Sequence, residues 1–445
     1  MSTHIELKTR REFLRTGVLG GAVTWTVPSF LAQTFAALHA EAADKATQIT
    51  TGKDGPILVI VQMAGGNDGL NTVVPYSNDY YVKARPTLAF PGSSVLKIND
   101  EFGLHPSLAA FKDLYDAGQL AILQGVGYPN PNRSHFRSTE IWQTASDSNK
   151  TEKYGWLGRY FDSACKGADP TVGVNVGRQM PQAFASARPV GVSLENPESY
   201  RYASLEHPED GQMISDEPYF RKMNRPDAIA EAETGGGTTI GSLPGAIQHQ
   251  GSPLDYLERT ALDAQVSSDK ILALSKGVSN KAEYPASQLA NSLKLVARLI
   301  GGGLPTRVFY VSQGGYDTHT NQSGAHERLL SDLGASVKAF TEDIKAQGNS
   351  ERILMMTFSE FGRRVNQNAN GGTDHGAAAP LFVIGSKVKA GLLGQFPSLA
   401  PKDLVNGDIR FTTDFRSIYA GVLEGWLKTP SAPVLGRQFE PLFCV

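Results

Sequence analysis

The chain has 445 residues, of which 40% are hydrophobic and 19% charged, and its formal net charge is −2. That composition is ordinary for a globular protein, long enough for two or three average domains or for one large α/β unit with insertions. There is no basic excess, which argues against nucleic acid as a partner. The only two cysteines, Cys165 and Cys444, give no support to a cysteine-based metal or redox site.

Taken in chain order, the first segment reads as an export signal. Thr9-Arg10-Arg11-Glu12-Phe13-Leu14-Arg15 resembles the twin-arginine motif of bacterial signal peptides. A mildly apolar stretch over 17–31 follows, then Ala40-Glu41-Ala42 as a small-residue cleavage site, so 1–42 is expected to be removed. The apolar stretch is too short and glycine-rich for a stable membrane span, and no other run is long enough. The expected location is therefore periplasmic or secreted, with the twin-arginine machinery as a partner. In such a compartment Cys165 and Cys444 either pair or stay as two thiols.

A strand is expected over Ile57–Met63, then an amphipathic helix over 105–117 and a second strand over 119–124. Strand, crossover helix and strand make the unit of a parallel sheet. A turn, GVGYPNPNR, leads to a helix from Ser134 to about Ala145, and 171–176 reads as a short strand. From about 193 to 251 the pattern gives way to a polar, proline- and glycine-bearing stretch, read either as a cap over one end of the sheet or as a solvated excursion. Helices are expected over 253–275, 287–300 and 323–347, and strands over 307–311, 352–357 and 380–384. Thr412 or Thr413 is positioned to cap a last helix over 414–427. The sum is one α/β domain, 43–445, built on a largely parallel sheet with helices on both faces and an inserted middle.

Four of these strands lie beside polar turns rich in acids, histidines and glycines. Ile57–Met63 precedes GGNDGLN with Asp68; 307–311 precedes SQGGYDTHTNQ with Asp317 and His319; 352–357 precedes SEFGRR with Glu360. The fourth is reversed: GGTDHG, with Asp374 and His375, comes before the strand at 380–384. In an open α/β sheet ligands bind beyond the carboxyl ends of the strands. Carboxylates and imidazoles gathered on one edge suit a divalent metal, with zinc among the candidates.

Each motif also has a plain reading. Asp68 and its glycines can simply make a turn, and Glu360 can pair with Arg363 or Arg364. Asp317 and His319, two apart, point the same way if extended. Asp374 and His375 offer two ligands, or one ligand and the acid that orients it. His326 lies on the helix over 323–347 as a further ligand or a solvated side chain. Ser134 is a favoured N-cap, yet it is also placed to act as a metal-activated nucleophile. Arg133 or Arg137 would then clamp phosphate or sulfate oxygens. No G-x-S-x-G elbow, Walker loop or dinucleotide fingerprint is present, which weighs against those enzyme classes.

In their order, the leader, GGNDGLN, NPNRSHFRSTEIWQT, GGYDTH, SEFGR and GGTDHG resemble a large bacterial, twin-arginine-exported family catalogued as domain of unknown function 1501. That family is placed in the alkaline phosphatase-like superfamily, with sulfatases and cofactor-independent phosphoglycerate mutases. The resemblance implies an alkaline phosphatase-like α/β fold. It also implies metal-ligand roles for Asp68, Asp317, His319 and His375, a nucleophile at Ser134, and Glu360 where the superfamily commonly has Asp-His. Phe361 stands in place of that histidine, and no modified-cysteine motif of sulfatases is present. One metal, a hard metal such as calcium or magnesium, or none all fit.

The leading expectation is an exported metal-dependent hydrolase-like protein acting on a small-molecule or glycan phosphate or sulfate ester. Asp68, Asp317, His319, Glu360, Asp374 and His375 would hold the metal, Ser134 would attack, and Arg133 or Arg137 would stabilise charge. Its rival is a non-catalytic exported protein of the same fold that binds a cell-surface polymer or a partner. A phosphotransferase for envelope glycans would share the first site.

Overall fold

The computed structural model describes residues 55–198 except Gly167 and Pro189, the strands at 204–207 and 212–214, and residues 267–445. The expected signal segment, most of the 193–251 stretch and the first part of the helix expected over 253–275 lie outside these residues; a helix over 267–277 is described. The chain divides into two units. One, residues 1–48 and 201–252, is described only by an antiparallel ribbon; the other, residues 49–200 and 253–445, carries the sheet.

β1 (Ile57–Met63) lies near the middle of that sheet and is buried along its whole length. Its near-continuous apolar sequence follows from cover on both faces. Side chains alternate: Ile57, Val59 and Val61 pack into one core, Leu58 and Ile60 into another on the opposite face.

Three small strands, β2 (Val73–Val74), β3 (Leu96–Lys97) and β4 (Gly103–Leu104), form a separate antiparallel sheet. Helix α1 (Ala109–Asp116) leads to β5 (Leu120–Gly127). Next come α2 (His135–Thr144), α3 (Trp156–Ala164), β6 (Gly173–Val176) and β7 (Val192–Leu194), then the ribbon of β8 (Ser204–His207) and β9 (Gln212–Ile214). α4 (Gln288–Gly301), β10 (Val308–Gln313), α5 (Gln322–Ala346) and β11 (Ile353–Phe358) follow. β12 (Arg363–Gln367) and β13 (Thr373–His375) form a ribbon before β14 (Ala379–Ile384), β15 (Gly391–Leu393), β16 (Thr413–Asp414) and α6 (Phe415–Gly421). Apolar residues of α1, α4 and α5 fill one core; those of α2, α3 and α6 fill the other.

The strand order is β15-β5-β14-β11-β1-β10-β6-β7, with β16 also on β5. All pairings are parallel except those of β14, which is antiparallel to both β11 and β5. The sheet is thus mixed but mostly parallel, with helices on both faces, as expected. β1 and β5 run in the same sense, as a strand–helix–strand unit implies, but β11 and β14 lie between them. A βαβ pattern specifies handedness and sense but not adjacency. A correction concerns the last helix. Its cap is Asp414, whose carboxylate accepts from the Arg416 amide, and not Thr412 or Thr413. Thr413 is instead committed to β16.

The reversal of β14 places the site. Ladder registers bring Met63 level with Gln313 and Gln62 level with Phe358, so the segments after β1, β10 and β11 leave the sheet together. Because β14 runs the other way, GGTDHG reaches the same edge by preceding its strand. β5 ends there as well and delivers the amino terminus of α2.

Candidate metal centre

Three histidines and one aspartate converge at this edge. Asp317 follows β10; His375 ends β13; His135 opens α2; His319 sits in the turn after Asp317. Nε2 of His319 and Nε2 of His375 are 2.9 Å apart, and they lie 3.0 and 3.1 Å from Asp317 Oδ1. His135 Nε2 lies 3.4 Å from Asp317 Oδ2 and has no hydrogen-bond partner. Ligand atoms of His135, Asp317 and His375 all fall within 4.8 Å of one another.

The far side of each ring is anchored. Nδ1 of His135 meets Glu360 Oε1 at 2.8 Å, Nδ1 of His375 meets the Arg133 carbonyl at 2.8 Å, and Nδ1 of His319 faces Asp374 Oδ1 at 3.4 Å. An ionised carboxylate and a carbonyl can only accept. Each Nδ1 is thereby occupied by an acceptor, which leaves the Nε2 atoms of all three rings to face Asp317. Three ring nitrogens and a carboxylate this close together need a cation or shared protons among them. A tetrahedral zinc with bonds of about 2.0–2.2 Å separates its donor atoms by about 3.3–3.6 Å. His135, Asp317 and His375, with ligand atoms mutually within 4.8 Å, offer a nitrogen and oxygen donor set of the kind such an ion takes, and His319 Nε2 lies beside them.

Surrounding charges hold this geometry. Partial burial raises the Asp317 carboxyl, but hydrogen bonds from Arg363 and then His375, with the Arg363 charge, outweigh it and bring it down to about 2. Arg363, fully buried, donates to Asp317 Oδ1 at 2.8 Å and to the carbonyls of Gly65, Gly66, Tyr316 and Thr373. One guanidinium thus ties together the turns after β1 and β10 and the β13 strand. Glu360 is buried and also accepts from the Gly65 amide at 2.8 Å. Asp374 is held below the ordinary range chiefly by a hydrogen bond from Asn368.

A family model described as "Protein of unknown function (DUF1501)" matches residues 56–434. The chain belongs to this family. No curated protein matches it in sequence. Among solved structures it is similar to the PsFucS1 sulfatase from Pseudoalteromonas sp., at 8% identity and a TM-score of 0.35 over 91% of this chain and 74% of that one. A protein of the alkaline phosphatase superfamily from Vibrio parahaemolyticus gives 10% and 0.35 over 87% and 70%. The C-terminal periplasmic domain of EcEptC from Escherichia coli, in complex with Zn, gives 9% and 0.34 over 76% and 74%.

In this DUF1501 chain the expected site residues part company. Asp317, His319 and His375 come together, with Asp374 and Glu360 one bond behind them against ring nitrogens. Asp68 does not join them. It is 1% exposed and pairs with Arg85 at 2.6 Å, while Gln322 donates to the same oxygen at 2.5 Å. Burial raises its carboxyl, but the Arg85 charge and hydrogen bond keep it below the ordinary value.

Ser134 is the N-cap of α2, yet its hydroxyl makes no capping bond and the residue is exposed. Arg133 is committed to Asp408, and Arg137 to Glu140 and the carbonyls of Asp147, Ser148 and Lys150. His326 is buried and bonded through Nε2 to Asn67 Oδ1 at 2.9 Å. Cys165 and Cys444 are both free and buried.

Sequence reasoning missed His135, Arg85 and Arg363 in these roles. For His135 the signal was present, since it stands beside Ser134 at a helix start. Arg85 lies in a stretch with no motif at all.

Proposed function

We propose that this is an exported, metal-dependent hydrolase-like protein acting on a phosphate or sulfate ester. The observation that carries the reading is the set of three imidazole Nε2 atoms around Asp317, each ring turned by an acceptor on its Nδ1. His135, His319, His375 and Asp317 would hold the ion. Glu360, Asp374 and the Arg133 carbonyl would orient the rings, a division of labour common around metal ligands. When bound, a divalent ion supplies Lewis acidity toward a phosphoryl or sulfuryl oxygen.

Within this reading Ser134 is the nucleophile. Its hydroxyl is free of capping duty, and it is covalently next to His135. Attack of Oγ on phosphorus or sulfur forms a new ester bond to the serine and releases the substrate alcohol; water then cleaves that bond. Free N–H groups at the start of α2 favour the anion. The set thus proposed differs from the sequence expectation by adding His135 and by leaving Asp68 to Arg85.

The commitment of Arg137 to backbone carbonyls and Glu140 favours a second reading, a non-catalytic binding protein with the same centre. Metal content of the mature protein, isolated without chelator, is the first test. About one tightly held ion, lost in Asp317→Ala and His375→Ala, supports the centre. A metal-free protein that no added ion stabilises removes it. Turnover of 4-nitrophenyl phosphate or sulfate then separates enzyme from binder: Ser134→Ala should abolish it with fold and metal retained, whereas undiminished turnover excludes Ser134.

Export rests on the amino-terminal segment alone. Replacing Arg10 and Arg11 by lysine should hold the precursor in the cytoplasm, and normal export of that variant would rule the signal out. Among the described residues no helix is long and apolar enough to cross a membrane.

A further inference from the structure

Beside the centre, two guanidinium groups share one carboxylate. Asp408 is 5% exposed. Its Oδ2 accepts from Arg133 Nε at 2.8 Å and Nη2 at 2.5 Å. On the other side Arg364 Nε lies 3.6 Å from Asp408 Oδ1, an ion pair too long for a hydrogen bond. Both of those atoms are buried and without a hydrogen-bond partner. The one Asp408 carboxylate therefore serves two guanidinium groups, and Arg364 makes no hydrogen bond to it. Both arginine side chains are about one-third exposed (36% and 35%), so they can meet a solute.

Their chain positions tie them to the centre. The Arg133 carbonyl anchors His375, and Ser134 follows it. Arg364 follows Arg363, which pairs with His375 across the β12–β13 ribbon, and its charge acts on Asp374. Asp374 is already engaged by Asn368 and His319 and gives Arg364 no hydrogen bond. Arg133 spends only two of its donor nitrogens on Asp408 and the Asn406 carbonyl, which leaves Nη1. A guanidinium with spare planar donors suits an oxyanion better than it suits water.

We propose that Arg133 and Arg364 form a second anion subsite beside the candidate metal centre, which takes a carboxylate, sulfate or phosphate carried by the same molecule whose ester reaches that centre. The preferred ligand is then polyanionic. This deepens the hydrolase reading and relies on it only for where the first anion sits.

The test uses the mature, zinc-loaded protein and calorimetric titration with inorganic phosphate and with alkanediol bisphosphates of increasing length. One length is expected to bind roughly tenfold or more tightly than phosphate, because the second contact is intramolecular. Added salt should shrink that advantage. Arg364→Gln should bring it close to unity, with zinc content unchanged. Arg133→Gln should do the same; if its melting curve shows that it misfolds, Arg364→Gln decides. The subsite is overturned if no bisphosphate outbinds phosphate, or if the advantage survives Arg364→Gln. A purely structural triad would lower melting temperature and leave the ratio alone. Loss of zinc and of phosphate binding, with a bisphosphate still held through Arg364, would sink the hydrolase reading and leave the subsite standing.

Discussion

Asp68 and Arg85 show how a residue's neighbours decide its chemistry. Both side chains are fully buried and 2.6 Å apart, and Arg85 also donates to Asn71 Oδ1 and to the carbonyls of Val365 and Arg364. A buried pair is weak evidence of net stability, but breaking one is costly because a charge is left alone. Arg85→Met should therefore destabilise the protein by about 3–5 kcal/mol in urea denaturation. A loss well below 1 kcal/mol would mean that Asp68 is neutral or solvated. Arg85→Met paired with Asp68→Asn should recover part of that cost, which a double-mutant cycle measures. At the centre itself, Arg363→Gln should weaken metal retention without touching any ligand, since it removes the donor that fixes Asp317 Oδ1. Unchanged metal content in that variant would deny Arg363 a positioning role.

At the scale of elements, the turns that carry the site are set by close backbone approach. Gly66 has φ +78°, and a Cβ there would lie 2.3 Å from the Phe361 ring. Both the left-handed backbone and the lack of space require glycine. Gly66→Ala should cost about 1–3 kcal/mol by the usual measure of overpacking, and it should push Phe361 against His135 and His375, whose rings it touches. The readout is a lower melting temperature with reduced metal affinity; a normal value for both would show that the turn can relax. The start of α6 offers a milder case. Asp414 caps the helix and also binds the buried Arg416, which has Asp147 as a second partner. Asp414→Ala should cost about 1–2 kcal/mol, the range for a lost cap, because Asp147 keeps the charge compensated.

For the whole molecule, acid stability depends on histidines outside the centre. Burial pushes His105 and His326 down to about 4 from an ordinary 6.5. His105 Nδ1 accepts from the Ser107 amide, a bond that protonation would break. The unfolded chain takes up these protons at higher pH than the folded one, so it binds more protons between about pH 6.5 and 4. Stability should then be complete above pH 6.5 and fall as pH drops toward 4, by at most on the order of 3 kcal/mol per histidine. His326→Gln should flatten part of that slope in melting curves taken from pH 7 to 4. An equal slope in wild type and variant would show that His326 protonates freely when folded.

Much was legible from local pattern. Buried strands announce themselves as short apolar runs, and β1 has the bounds expected of it. The glycine-flanked acids and histidines marked the sheet edge that carries the candidate centre, and their order marked the family. Two kinds of fact were not local. Strand order was one: β14 lies between β11 and β5, and only its reversed sense explains why GGTDHG precedes its strand while the other motifs follow theirs. Partnership was the other. Glu360 meets the Gly65 amide across 295 residues of chain and His135 across 225. Nothing in either neighbourhood states such a contact, because it is made by sheet register and burial. The sequence by itself determined which side chains reach the edge of the sheet. The tertiary structure alone decided that Asp68 is neutralised by Arg85, while His135 turns toward Asp317. The physical reason is that a buried charge takes whichever opposite charge the packing brings beside it, as Asp68 takes Arg85, and that a ring held at one nitrogen turns the other outward, as Glu360 holds His135.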